Sequence, residues 1–220
     1  MDPVHSNKYE KARTRMVQEQ LIPRGIDDPA VLNAMARLGR HLFVEDALRA
    51  QAYGDFPLPI GHGQTISQPY MVALMTQLLQ LQGTETVLEI GTGCGYQSAV
   101  LATLCERVYT VERIKPLLAR ARRTFDQLRL FNIMSKIDDG TEGWPENAPF
   151  AAIIVTAAGP RIPPPLVEQL ADPGRMVLPV GDQETQTLMV VRKEMGEVTA
   201  TPVESVRFVK LVGTHGWKAA

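Results

Sequence analysis

The 220-residue sequence predicts an α/β fold, a doubly wound and mostly parallel sheet of seven strands with a helical extension at its N-terminus. After Gly83, short apolar runs alternate with segments of helical periodicity, the pattern of strands joined by crossover helices. Before Gly83, apolar residues recur at helical spacing. The length is that of a single domain. We therefore expect one domain over residues 1–220, with 1–82 as the helical extension and 83–220 as the sheet core.

The segment before Gly83 contains three predicted helices and one long loop. The first helix is expected over residues 8–21, because Pro23-Arg24-Gly25 stops it. Asp28 is followed by a proline, which marks the N-cap of a second helix. Residues 53–64 hold two prolines and three glycines and are expected to form a loop. Ser67 is expected to open a third helix that runs to about residue 81.

The sheet core contains seven predicted strands and three predicted helices. The strands are expected over residues 86–90, 107–111, 133–137, 152–156, 175–178, 187–191 and 203–209. The helices are expected over residues 96–104, 116–131 and 165–170. Alternation of this kind places helices on both faces of a parallel sheet.

Composition and charge exclude several classes of function. The formal net charge is -1, so no general basic field indicates a nucleic-acid partner. No apolar run approaches the length that spans a bilayer, and the polar N-terminus lacks a signal-peptide core. We therefore expect a cytoplasmic protein. The four histidines are scattered and the two cysteines form no CxxC pair, so no metal site is expected.

The stretch VLEIGTGCGYQ, residues 87–97, predicts a ligand site. Gly91, Gly93 and Gly95 follow a buried strand and precede a helix, which allows a tight turn and the close approach of a ligand. In such sheets, ligands bind outside the carboxyl ends of the strands. Glu112 ends the next strand, 21 positions after Gly91, close to the spacing of an acid that binds ribose hydroxyls. The pattern therefore indicates a nucleoside.

The details of this loop favour S-adenosylmethionine over a dinucleotide. The dinucleotide pattern GxGxxG requires a third glycine where Tyr96 stands. Glu89 lies two positions before the first glycine, where its carboxylate would repel a pyrophosphate but could bind an ammonium group. The alternative is a tight strand-to-helix turn that binds nothing.

The methyl acceptor is less evident from the residues. An Asn/Asp-Pro-Pro-aromatic sequence, typical of enzymes that methylate planar amino groups, is replaced by Thr156-Ala157-Ala158-Gly159. No GxSxG motif indicates an acyl-enzyme hydrolase. The polar stretch GHGQTISQPYM, residues 61–71, places Ser67 at a helix start, either as a simple N-cap or as part of an anion site.

Five stretches together resemble one family. They occur in the order found in the protein-L-isoaspartate O-methyltransferase family, and the similarity runs from about residue 16 to residue 212. The five stretches are GHGQTISQPYM, VLEIGTGCGYQSAVLA, VERI, FAAIIVTAA and VRFVKL. The resemblance implies a Rossmann-like methyltransferase sheet. It also implies transfer of a methyl group from S-adenosyl-L-methionine to the free α-carboxyl of L-isoaspartyl residues, with S-adenosyl-L-homocysteine as product. The ester then starts repair through a succinimide.

The resemblance also implies site residues. Ser67 would be the catalytic residue, acting as a hydrogen-bond donor to the acceptor carboxylate. The cofactor would be bound by Glu89, Gly91, Thr92, Gly93, Gly95, Glu112, Arg113, Asp139, Gly140 and Thr156. The substrate would be bound by Gln64, Thr65, Ile66, Ser67, Gln68 and Val209. The chain departs from the family pattern at Asp138, Ala151, His62 and Lys210, the last of which replaces a common proline.

Two other hypotheses stay open at this point. A basic segment over residues 113–129 could indicate RNA or another acceptor, although a solvated helix face is favoured, because the rest of the chain is balanced in charge and no aromatic residues interleave. The chain could also be a binding module that retains the fold without catalysis. We expect a monomer whose partners are isoaspartyl proteins and peptides, with no nucleic-acid or membrane partner.

Overall fold

The computed structural model describes residues 9–218, and this part of the chain begins with helices. Helix α1 covers Glu10–Met16 and continues as a π-helical turn, Val17–Leu21, and a 3-10 turn, Ile22–Arg24. Gly25 ends this run in the left-handed conformation, with φ of 86°. The predicted helix over 8–21 is therefore present from residue 10, and its first residue lies outside the described part.

Helix α2, Pro29–Arg37, begins as the sequence predicts. The carboxylate of Asp28 accepts hydrogen bonds from the backbone N–H groups of Ala30 at 2.8 Å and Val31 at 3.2 Å. This satisfies two donors that the first helical turn leaves free, so Asp28 is the N-cap.

A short β-hairpin replaces most of the loop predicted over residues 53–64. Strand β1, Leu58–Gly61, pairs antiparallel with β2, Gln64–Ile66. The turn between them contains His62 and Gly63, both with positive φ. The prediction was wrong because the prolines and glycines of this segment mask the alternation of buried and exposed residues in β1.

Helix α3, Pro69–Leu79, starts later than predicted. Its N-cap position is occupied by Gln68, and no side chain makes a capping hydrogen bond there. The prediction that Ser67 caps this helix is therefore wrong. Proline at the first helical position lacks an N–H group, so this helix end has one donor fewer to satisfy.

The main sheet has seven strands in the order β5-β4-β3-β6-β7-β8-β9. They are β3 (Thr86–Ile90), β4 (Arg107–Glu112), β5 (Ile133–Ile137), β6 (Phe150–Val155), β7 (Leu170–Gly181), β8 (Gln186–Glu194) and β9 (Glu197–Val206). The first five strands in this order run parallel to one another. Strand β8 pairs antiparallel with β7, and β9 pairs antiparallel with β8. The helices between strands are α4 (Tyr96–Ala102), α5 (Lys115–Gln127) and α6 (Pro164–Glu168). The predicted fold class is confirmed.

The C-terminal strands differ most from the prediction. Strand β7 is longer than the predicted strand over residues 175–178. Strand β9 starts before the predicted strand over residues 203–209 and ends three residues before the predicted end at residue 209. Residues of β9 are mostly exposed because the strand lies at the sheet edge, so it lacks the apolar pattern of a buried strand. Met195 and Gly196, both with positive φ, form the turn that joins β8 to β9.

The strands at the centre of the sheet position the site. The apolar residues of β3 and β6 are almost fully buried between helices on the two faces. Because β4, β3 and β6 are parallel neighbours, their carboxyl ends meet at one edge of the sheet. No helix within residues 9–218 combines the length and apolarity needed to cross a bilayer. The division into residues 1–82 and 83–220 stays a prediction.

Candidate active site

A cavity of about 420 Å³ lies at the carboxyl ends of β3, β4 and β6. Loops after these strands, the β1–β2 hairpin and the C-terminal segment form its walls. The predicted cofactor residues that line it are Gly91, Gly93, Glu112, Arg113, Gly140 and Thr156. This is the edge at which open α/β sheets bind their ligands.

The loop after β3 requires glycine for two different reasons. Gly91 has φ of 96°, and a side chain there would overlap the hydroxyl of Thr156, which donates hydrogen bonds to the carbonyls of Ile90 and Gly91. Gly95 has φ of 90°, and a Cβ there would lie 2.5 Å from the ring of Phe125. The loop can therefore lie close to Thr156 on one side and to α5 on the other only without side chains.

The carboxylate of Glu112 joins this loop to the next one. It is nearly buried and accepts hydrogen bonds from the N–H of Gly93 and the N–H of Ile114, both at 2.8 Å. Each carboxylate oxygen carries a further lone pair. Because Glu112 also lines the cavity, its carboxylate can accept hydroxyl groups of a ligand while it fixes the loop.

Glu89 does not reach the cavity, contrary to the sequence-based hypothesis of an ammonium contact. Its side chain is fully buried and accepts hydrogen bonds from the hydroxyls of Ser98 and Thr110. Its second oxygen, Oε1, has no hydrogen-bond partner among residues 9–218. Burial raises the pKa of Glu89 to about 8, above the ordinary 4.5. Glu89 therefore supports the loop from beneath.

Three other predicted cofactor residues also lie off the cavity. Thr92 is buried, its hydroxyl is 2.6 Å from that of Thr110, and it borders a narrow space of about 40 Å³ behind the loop. Gly95 is the N-cap of α4. The carboxylate of Asp139 caps the turn at Gly140–Glu142 and accepts the N–H of Thr214 at 2.7 Å, so it faces the C-terminal segment.

A second depression, a groove of about 690 Å³, adjoins the cavity. The predicted substrate residues Thr65, Ser67, Gln68 and Val209 line this groove. Gln64 lines the cavity, and Ile66 is buried beside the narrow space. The residues common to groove and cavity are Thr65, Thr156 and Val209.

Several groove residues were missed from the sequence. They are Arg24, Pro57, Met71 and residues 204–208. Of these, residues 206–208 belong to the VRFVKL stretch, for which the family resemblance was the only signal in the sequence. Arg24 carried no local signal, because it reaches the groove from the N-terminal helices through contacts distant in sequence. Its guanidinium lies 3.3 Å from the centre of the Tyr70 ring and pairs with Asp55 at 3.0 Å.

Ser67 has a hydroxyl that is free to act on a ligand. It makes no hydrogen bond to another residue of the described chain. Its side chain is half-buried, and it borders both the groove and the narrow space that leads to Gly91 and Gly93. Because Ser67 does not cap α3, no hydrogen bond within the described chain explains why a serine stands at this position.

The C-terminal segment forms a wall that three hydrogen bonds fix to Ala158, just after β6. Ala158 donates its N–H to the carbonyl of Val209 at 2.8 Å and accepts the N–H of Leu211 at 2.8 Å. The indole of Trp217 also donates to the Ala158 carbonyl, at 3.0 Å. These contacts hold Val209 at the junction of groove and cavity.

Comparisons with known proteins identify the family of this chain. The sequence model of the family described as Protein-L-isoaspartate(D-aspartate) O-methyltransferase (PCMT) matches residues 12–216. A protein-L-isoaspartate O-methyltransferase of Geobacter metallireducens is 59% identical over 210 residues, 95% of this chain and 97% of the relative. One from Desulfotalea psychrophila is 56% identical, over 96% of this chain and 99% of the relative.

Two solved structures have the same fold over most of the chain. A protein-L-isoaspartate O-methyltransferase superposes with a TM-score of 0.84 and 26% identity, covering 93% of this chain and 67% of that one. A candidate enzyme of this type from Plasmodium falciparum, solved in complex with S-adenosyl-L-homocysteine, gives a TM-score of 0.79 and 27% identity, covering 91% and 98%. The chain therefore belongs to the protein-L-isoaspartate(D-aspartate) O-methyltransferase family.

Proposed function

We infer that this chain transfers the methyl group of S-adenosyl-L-methionine to the free α-carboxyl of L-isoaspartyl residues in damaged proteins and peptides. The observation that carries the inference is the junction of a cofactor-sized cavity with an open groove at Thr65, Thr156 and Val209. An extended peptide in the groove would bring one carboxylate to this junction. The family and the names of its relatives give the chemistry of that carboxylate.

The residues of the cavity fit the cofactor. A volume of about 420 Å³ lies within the range of pockets for ligands of this size. The carboxylate of Glu112 offers acceptors for ribose hydroxyls, and the bare backbone of Gly91 and Gly93 allows the amino-acid part to lie against the loop. Bound there, the cofactor supplies a methyl group on a positively charged sulfur. The Plasmodium relative binds S-adenosyl-L-homocysteine, the demethylated form.

The acceptor needs no general base. An α-carboxyl has a pKa of about 3.5 and is ionised at neutral pH. We propose that the Ser67 hydroxyl donates a hydrogen bond to one carboxylate oxygen and directs the other at the methyl group. Thr65 and Val209 would exclude water at the junction. The backbone nitrogen of the next residue then attacks the methyl ester and expels methanol, which closes a succinimide, and water reopens this ring partly to normal aspartate.

The experiment that tests this function compares two peptides. Methyl transfer from labelled S-adenosyl-L-methionine is measured with an isoaspartyl peptide and with the same sequence containing aspartate. We expect label only in the isoaspartyl peptide. Equal labelling of both peptides would exclude the proposal, as would labelling of RNA in a parallel reaction when neither peptide is labelled. The arginine-rich helix gives RNA weaker support, because Arg122 is bound to Ser135 and Arg120 to the Ile60 carbonyl.

Replacement of Ser67 tests its proposed role. In Ser67→Ala, single-turnover methyl transfer should fall at least ten-fold, since a positioned donor to a charged group contributes about 1.5–3 kcal/mol. Stability and cofactor affinity should hardly change, because Ser67 makes no capping bond and lies outside the loop after β3. Ser205→Ala is the control, an exposed serine of the same groove. Normal turnover in Ser67→Ala would remove Ser67 from the site.

We also propose that the protein is a monomer and that it acts in the cytoplasm. Light scattering of the purified protein tests the first part, and fractionation of the source cells tests the second. A stable dimer or a membrane-bound pool would contradict it.

A further inference from the structure

Residues 204–212 form one continuous wall of the site. Residues 204–209 line the groove, and residues 209–212 line the cavity. The two parts meet at Val209, which lies at the junction proposed for the reaction. A peptide that places its carboxylate at this junction must therefore pass along this wall.

Two cations of this wall have no partner. The side chains of Arg207 and Lys210 are exposed, and neither makes an ion pair or hydrogen bond with another described residue. Arg207 faces the groove and Lys210 the cavity, one on each side of the junction. Glu204, farther along the groove, is the one acidic residue of the wall and accepts a long hydrogen bond of 3.4 Å from the Tyr70 hydroxyl.

The other charges around the site leave an excess of positive charge. Arg113 and Lys218 line the cavity and also lack partners in the described chain. The charge of Arg24 is offset by Asp55. Glu112 is negative, but it is nearly buried and its oxygens are bound to two backbone N–H groups. Among residues 9–218, four cations without a side-chain partner therefore line the site against two carboxylates, Glu112 and Glu204, each of which accepts a hydrogen bond.

We propose that Arg207 and Lys210 make this enzyme select isoaspartyl sites whose neighbouring residues are acidic. The inference rests on the proposed function and specifies its substrate class. One pair of unit charges about 8 Å apart in water changes an association constant roughly two- to three-fold. Two such pairs, one acidic flanking residue near each cation, therefore give about a five-fold preference for two acidic over two neutral neighbours. Because both side chains are exposed, the preference acts mainly on association and weakens with salt.

Lys210 can be replaced without damage to the wall. The backbone hydrogen bonds with Ala158 are made by the carbonyl of Val209 and the N–H of Leu211, and Lys210 makes neither of them. Lys210→Gln and Arg207→Gln therefore remove charge while the backbone contacts remain. Lys11→Gln is the matched control, an exposed lysine of α1 that lines neither the groove nor the cavity.

The test measures kcat/KM for three isoaspartyl peptides that differ only in two flanking residues, both Glu, both Gln or both Lys. We expect the order Glu, Gln, Lys at low ionic strength, with steps of about five-fold that shrink at high ionic strength. The double variant should lose the ranking, and Lys11→Gln should keep it. Equal values for the three peptides, the reverse order, or an unchanged ranking in the double variant would overturn the inference. If none of the peptides is methylated, the proposed function itself fails.

Discussion

Protonation of Glu89 should make the stability of this protein depend on pH. The side chain is fully buried, and burial raises its pKa to about 8 from the ordinary 4.5. Between these values the folded chain keeps a proton that the unfolded chain has released. Stability should therefore fall as pH rises through this window, by about 1.4 kcal/mol per pH unit and about 5 kcal/mol in total. Above the folded-state pKa of about 8, no further loss is expected from this residue.

Glu89→Gln isolates this contribution. Glutamine has the same shape and stays neutral, and the hydroxyls of Ser98 and Thr110 can reorient to accept from its amide. Urea unfolding of both proteins between about pH 5 and pH 8 gives the difference in unfolding free energy, in which other titrating groups largely cancel. Relative to the variant, the wild type should lose several kcal/mol over this range. The exposed Glu184→Gln serves as control. A difference that stays constant with pH would refute the assigned protonation state.

Three further predictions concern the surrounding loops. Glu112→Ala should weaken cofactor binding measured by calorimetry and also lower stability, because its two charge-assisted bonds to backbone N–H groups, about 1.5–3 kcal/mol each, are lost; unchanged affinity would exclude a ligand role. Gly95→Ala should lower the unfolding free energy more than Gly196→Ala, since both have positive φ but only the first meets an aromatic ring; equal losses would contradict the packing argument. Asp139→Asn should loosen the C-terminal segment held through Thr214, seen as faster hydrogen exchange there, and unchanged exchange would count against it.

The parallel core could be predicted from the sequence because its signals are local. Strands β3 and β6 are buried on both faces, so β6 is entirely apolar and the polar residues of β3 are limited to Thr86 and Glu89. The glycines after β3 and the acid at the end of β4 identify the ligand edge, since a parallel sheet brings these ends together. The hairpin at residues 58–66 gave no such signal, because one proline and two glycines interrupt this short segment.

Side-chain direction could not be predicted from the motif alone. Alternate residues of a strand point to opposite faces, and Glu89 lies between Leu88 and Ile90, which pack in the second core cluster. Glu89 therefore points to the face covered by α4, toward Ser98, and away from the cavity. Asp139 likewise faces Thr214, a partner 75 positions away in sequence. Such partners become known only when the fold brings distant segments together.

The measurement that tests the central claim most directly is the position of the transferred methyl group. An isoaspartyl peptide that also contains aspartate, glutamate, lysine and a free C-terminus is incubated with the enzyme and S-adenosyl-L-methionine, and the product is sequenced by tandem mass spectrometry at mildly acidic pH. We predict a single methyl ester on the α-carboxyl of the isoaspartyl residue and, after transfer to neutral pH, its loss with formation of the succinimide. A methyl group on nitrogen, on a side-chain carboxyl or on the C-terminus would contradict the account.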